Sequence, residues 1–113
     1  MAIQIYHNPR CSKSRATLAL LAEQGIEPEI IDYLNDPPSE NTLKKLQKAI
    51  GCSVADMVRK KEAPYAENGL GAASEDGLIT AITTFPILLE RPIVVNGNRA
   101  AIGRPPENVL DIL

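Results

Sequence analysis

The chain opens on Ile3-Gln4-Ile5-Tyr6, whose apolar–polar alternation predicts a strand over residues 2–6. Thr17-Leu18-Ala19-Leu20-Leu21-Ala22 reads instead as helix, predicted from Ser12 to Gln24 and stopped by Gly25. Glu29-Ile30-Ile31-Asp32-Tyr33, opened by Pro28, predicts a second strand. After the turn Asn35-Asp36-Pro37-Pro38, Ser39 caps a helix with Leu43, Leu46 and Ile50 on one face, ended by Gly51. Ser53 starts a shorter helix, Val54 to Lys60, and Pro64-Tyr65 and Asn68-Gly69 punctuate a middle region. Ser74-Glu75-Asp76 opens a helix through Ile79 and Ile82 that ends before Pro86. Arg91-Pro92-Ile93-Val94-Val95 is a third strand. Asn96-Gly97 signals a hairpin into Asn98–Ile102, and Pro105-Pro106 leads into a last helix to Leu113.

The order is β-α-β, a helical insertion, then β-β-α. The compact first unit implies a parallel strand pair with a right-handed crossover. The whole fits an α/β, thioredoxin-like fold: a mixed four-stranded sheet with flanking helices in a single domain, residues 1–113. With 113 residues, 44% of them hydrophobic, the chain can bury a core without disulfide or metal staples. A net charge of −2 argues against a nucleic-acid binder, which is usually basic overall. No apolar run is long enough to span a membrane, and no leader pattern is visible, so the expected location is the cytoplasm. Cys11 and Cys52 form neither a disulfide framework nor, with one histidine, a metal site. Cys52, beside Gly51, reads as a small packed residue rather than a resolving thiol.

Cys11 changes the picture. It lies between the first strand and the first helix, in His7-Asn8-Pro9-Arg10-Cys11-Ser12-Lys13-Ser14-Arg15. A thiol at a helix start meets free backbone N–H groups and the positive end of the helix dipole, both of which favour the thiolate. At a pKa of about 8.5 only ~3% is ionised at neutral pH, whereas a pKa of about 6.5 makes it mostly thiolate. The same amides suit a tetrahedral oxyanion. In the dithiol motif Cys-x-x-Cys the fourth position here is Ser14, so a mixed disulfide on Cys11 needs an outside thiol. Ser14 either donates a hydrogen bond to the thiolate or simply satisfies first-turn backbone. A tyrosine-phosphatase loop requires an arginine six positions after the cysteine. That position is Thr17, and the arginine falls early, at Arg15. Arg91-Pro92 is the candidate cis bond facing the thiol; a trans proline opening an edge strand fits the local sequence equally well.

Across essentially its whole length the chain resembles the glutaredoxin-coupled arsenate reductase family. The resemblance is carried by Ile5-Tyr6-His7-Asn8-Pro9-x-Cys11, Ser14-Arg15, Tyr33-Leu34-x-x-Pro37-Pro38, Arg59-Lys60, Pro64-Tyr65, Arg91-Pro92-Ile93-Val94-Val95, and Arg104-Pro105 with Val109-Leu110-Asp111-Ile112-Leu113. It is similar to the shorter branch, without the C-terminal extension of the plasmid-type enzymes. The resemblance implies that Cys11 is the nucleophile and that Arg59, Arg91 and Arg104 bind the oxyanion. It implies that His7 helps lower the thiol pKa, with Ser14 and Arg15 beside it. Guanidinium groups suit these roles because they bind tetrahedral anions bidentately and never deprotonate. Where arsenate-selective members often carry Gly-Thr, this chain has Ser12-Lys13, which adds a positive charge.

The implied activity is reduction of arsenate to arsenite through a Cys11 thiol–arsenate adduct. Glutathione is the co-substrate, glutaredoxin the partner, no cofactor is bound and the chain acts as a monomer. Two rivals remain at this point. One is a glutathione/glutaredoxin-linked thiol transferase with another substrate. The other is a non-enzymatic redox-responsive regulator that binds RNA polymerase, against which Ser14 and the arginine trio count.

Overall fold

The structure, a computed structural model, describes residues 3–113. Strands β1 (Gln4–Tyr6), β2 (Glu29–Ile31), β3 (Ile93–Asn96) and β4 (Arg99–Ile102) and helices α1 (Ser12–Glu23), α2 (Glu40–Ile50), α3 (Ala63–Glu67) and α4 (Glu75–Thr84) make up its main elements. The part of the first strand expected at Ala2 lies outside the described residues. The chain divides into two compact units. One joins the described residues up to Asp36 with Arg91–Leu113, and the other is Pro37–Glu90.

The first unit holds the mixed four-stranded sheet, in the order β2-β1-β3-β4. β1 runs parallel to β2, with Tyr6 opposite Ile31, and antiparallel to β3, with Tyr6 opposite Ile93. The parallel pair needs a crossover, and α1 supplies it. Ile5, Leu21, Val94, Val109 and Ile112 form the core, joined at its margin by Ile3, Leu18 and Ile26. α1 ends where Gly25 takes φ +74°, a left-handed conformation open to glycine at little cost, and the Ile26 N–H reaches back to the Leu21 carbonyl at 2.9 Å. β2 stops two residues earlier than expected. The N–H groups of Asn35 and Asp36 turn back onto the Asp32 carbonyl, so Tyr33 is fully buried in a turn rather than in the sheet. The last helix, Pro106–Ile112, is 3-10 rather than α, and it packs on α1 and β4.

In the second unit Ser39 and Ser74 cap α2 and α4, each side-chain oxygen accepting the N–H three residues on. α4 packs against α2 and against a 3-10 turn at Val54–Met57. That turn ends before the Lys60 expected from sequence. Val58 pairs with Leu89 and the Arg59 N–H donates to the Leu88 carbonyl at 2.7 Å, so the segment is drawn into extended pairing. Arg59 therefore follows the helical turn instead of lying in it. α3 forms where Pro64-Tyr65 signals only a break in the chain: Pro64 sits in its first turn, where proline starts a helix as readily as it ends one.

Candidate active site

Cys11 is the N-cap residue of α1, at φ −93° and ψ 123°. The N–H groups at the second and third helical positions, Lys13 and Ser14, are those that a capping serine or aspartate oxygen would take. Here no side-chain oxygen caps the helix. Burial opposes ionisation of Cys11. The Ser14 N–H, the Arg91 guanidinium and the Lys13 N–H outweigh it, and the thiol pKa falls below its ordinary 9.0. The sulfur thus stands where a cap oxygen would stand, and its ionised form is favoured there.

Two arginines converge on the sulfur from the far end of the chain. Arg104 Nη1 lies 3.8 Å from Cys11 Sγ and donates to the Arg91 carbonyl at 3.0 Å. The contact to sulfur is at the long limit, so the larger stabilisation of the thiolate comes from Arg91. Both arginines precede cis prolines, Pro92 and Pro105. The first resolves the even choice between cis and trans left by the sequence; nothing in the sequence reading anticipated the second. The Gly103 N–H donates to the Pro92 carbonyl at 2.9 Å and holds the two segments together.

His7 does not reach the sulfur through any direct bond in this arrangement. Its Nδ1 lies 2.6 Å from Ser14 Oγ, and that oxygen also accepts the Asn8 N–H at 3.0 Å. Ser14 Oγ, fully buried, is therefore engaged on the loop, and it is the Ser14 backbone N–H that serves the thiolate. The His7–Ser14 hydrogen bond runs from Oγ to Nδ1 in the Nε2–H tautomer and from Nδ1 to Oγ when Nδ1 carries the proton. Burial, then the nearby Arg15 charge, push the His7 pKa below 6.5 against a smaller opposing pull from Asp32. The shift favours the neutral imidazole, and the direct partner of His7 is Ser14 rather than Cys11.

Sequence reasoning missed Asn8. It is 4% exposed, its carbonyl accepts the Cys11 N–H, and its Oδ1 accepts the Arg10 N–H, both at 3.0 Å. The Asn-Pro dipeptide is the signal that could have found it, since asparagine side chains build such turns on their own backbone. Arg15 Nη1 donates to the Pro9 carbonyl at 2.9 Å and braces the loop from outside. Arg59 belongs to the other unit, where its guanidinium pairs with Glu62 at 3.3 Å and Glu90 at 3.0 Å. Cys52 is half-buried, and burial followed by the Asp56 charge raises its pKa, so it is the less reactive thiol.

A family model described as the ArsC family matches residues 6–112. The chain belongs to the ArsC family. Arsenate reductase of Haemophilus influenzae (strain ATCC 51907 / DSM 11121 / KW20 / Rd) is 48% identical, covering 100% of both chains. YfgD of Escherichia coli (strain K12), described as an uncharacterized protein, is 51% identical over 98% of this chain and 96% of its own length. The solved structure of an arsenate reductase from Vibrio cholerae is 52% identical, with a TM-score of 0.97 over 100% of this chain and 98% of that one. The ArsC fold around Cys11 is thus a thioredoxin-like one, as the element order implied. Among the described residues, no helix is long and apolar enough to cross a membrane.

Proposed function

We propose that this protein reduces arsenate to arsenite, with Cys11 as nucleophile, glutathione as co-substrate and glutaredoxin as partner. The observation that carries the reading is the Cys11 sulfur, its pKa lowered, held between the first amides of α1 and the guanidinium groups of Arg91 and Arg104. That arrangement joins a nucleophile to charge that suits a tetrahedral oxyanion.

The chemistry proceeds in four steps. The Cys11 sulfur bonds to arsenic(V), and one oxygen leaves as water. The glutathione thiol displaces a second oxygen as water, which leaves two sulfurs on arsenic. The glutaredoxin thiolate attacks the glutathione sulfur; the sulfur–arsenic bond breaks with its electron pair staying on arsenic, now arsenic(III). Water then replaces the Cys11 sulfur, releasing arsenite and the free thiol. Two electrons reach arsenic, and a glutathione–glutaredoxin disulfide leaves. The absence of a second cysteine in the loop motivates the external thiols. The reading places this reaction in the cytoplasm, on a monomer with no bound cofactor.

The test couples arsenate to NADPH oxidation through glutathione reductase, glutathione and glutaredoxin. Turnover is expected with arsenate and is expected to vanish in Cys11→Ser. Oxidation that does not need arsenate, or that survives Cys11→Ser, overturns the reading. Arg59 takes its role in this reading from the family resemblance, and Arg59→Ala in the same assay checks it.

A further inference from the structure

The loop around Cys11 carries more positive charge than one small oxyanion accounts for. Arg10, Lys13 and Arg15 flank the thiol in sequence, and all three are exposed. The first carboxylate in the chain is Glu23, at the far end of α1. Arg91 and Arg104 already face the sulfur. In a chain with 12 basic and 14 acidic residues, Arg10, Lys13, Arg15, Arg91 and Arg104 therefore gather at one site.

This charge sits where the helix itself does not favour it. A helix N-terminus prefers acidic side chains. α2 and α4 obey, with Glu40, and with Glu75 and Asp76, in their first turns. The first turn of α1 has no acid and carries Lys13 instead. Arg15 is tied to the Pro9 carbonyl, and the Arg10 backbone is fixed by Asn8 Oδ1. Among the described residues, the side chains of Arg10 and Lys13 have no ion pair or hydrogen bond, so their charge is directed at solvent and at whatever approaches Cys11. Cys11 is only half-buried, which leaves it open to a second thiol, and Arg10 and Lys13 lie within two residues of it in the chain.

We infer that Arg10 and Lys13 form a recognition surface for the second substrate, selecting a small thiol that bears carboxylates over neutral or cationic thiols. Glutathione, with two carboxylates and one ammonium, has that chemistry. The two cations act at range, raising the local concentration of the anionic thiol and orienting its carboxylates away from the sulfur that must react. The inference rests on Cys11 being the working thiol but not on arsenate being the substrate.

The test needs no arsenate. In a Cys52→Ser background, Cys11 is converted to its thiopyridyl disulfide. Release of thiopyridone is then timed with glutathione (anionic), 2-mercaptoethanol (neutral) and cysteamine (cationic). Arg10→Ser/Lys13→Ser is expected to slow glutathione about fivefold, leave 2-mercaptoethanol unchanged and speed cysteamine; high salt should erase the difference between the two proteins. Equal changes with all three thiols, or an unchanged glutathione rate, overturn the inference. If arsenate reduction fails while this ordering by charge holds, the substrate assignment falls and the thiol surface stands.

Discussion

Burial alone would raise the Cys11 pKa; the Ser14 and Lys13 amides and the Arg91 charge bring it below its ordinary value. Arg91→Ala is therefore expected to raise the thiol pKa further than Arg104→Ala, because Arg104 touches sulfur only at 3.8 Å. Alkylation of Cys11 by iodoacetamide as a function of pH measures both. The depressed pKa also links to stability. Thiolate stabilisation is fully present above the unfolded value, near 9.0, and is lost as pH falls through the lowered folded value. Wild type should gain stability over Cys11→Ser as pH rises across that window. For His7 the sign is the same, since its folded pKa is lowered too, although the group is a base. Below about 6.5 the unfolded chain binds a proton that the fold resists, so stability falls as pH drops through the His7 folded pKa. His7→Asn, which keeps a polar partner for Ser14, should flatten that decline in urea midpoints taken from pH 7 to pH 5. Cys11 and its missing partner cysteine were legible in the sequence. The role of His7 was not, because a strand-end histidine shows no sign of which neighbour holds it.

At the scale of elements, local signals marked most boundaries and missed where partners from elsewhere intervene. Ser39, Gly51 and Ser74 act within one turn of themselves and are found where their chemistry places them. The turn at Val54–Met57 and strand β2 stop early because Leu88 and Leu89, in one case, and the Asp32 carbonyl, in the other, take their backbone groups. The hairpin shifts by one residue. Asn96 pairs with Arg99, so Gly97 and Asn98 are the turn residues and only Gly97 has positive φ, at +64°. That matches a turn with glycine at its first central position rather than an Asn-Gly centre. Gly97→Ala should cost about 1 kcal/mol in chemical denaturation. Lys13→Glu should act the other way. It restores the acid that the α1 dipole favours and should stabilise the fold by roughly 0.3–1 kcal/mol. It should also slow attack by glutathione on a Cys11 disulfide.

For the whole molecule, the pieces of the site come from the two ends of the chain. Residues 7–15 supply the thiol and its amides, and residues 91–104 supply the guanidinium groups. No spacing in the sequence announces that meeting. It could be read only through the family resemblance, whereas the β-α-β and β-β-α halves were readable from periodicity alone. The Pro37–Glu90 unit lies between those halves in the chain, and β1 must wait for β3, with Tyr6 opposite Ile93. During synthesis Cys11 leaves the ribosome early, and Arg91 and Arg104 follow some eighty or more residues later. Until then the cysteine lacks the Arg91 and Arg104 guanidinium groups, so a chain arrested after Glu90 should be alkylated at neutral pH more slowly than one that includes residues 91–113. The cysteine thus gains its full reactivity only once a segment some eighty residues downstream has been made, which spares the growing polypeptide its most reactive thiol before the fold can direct it.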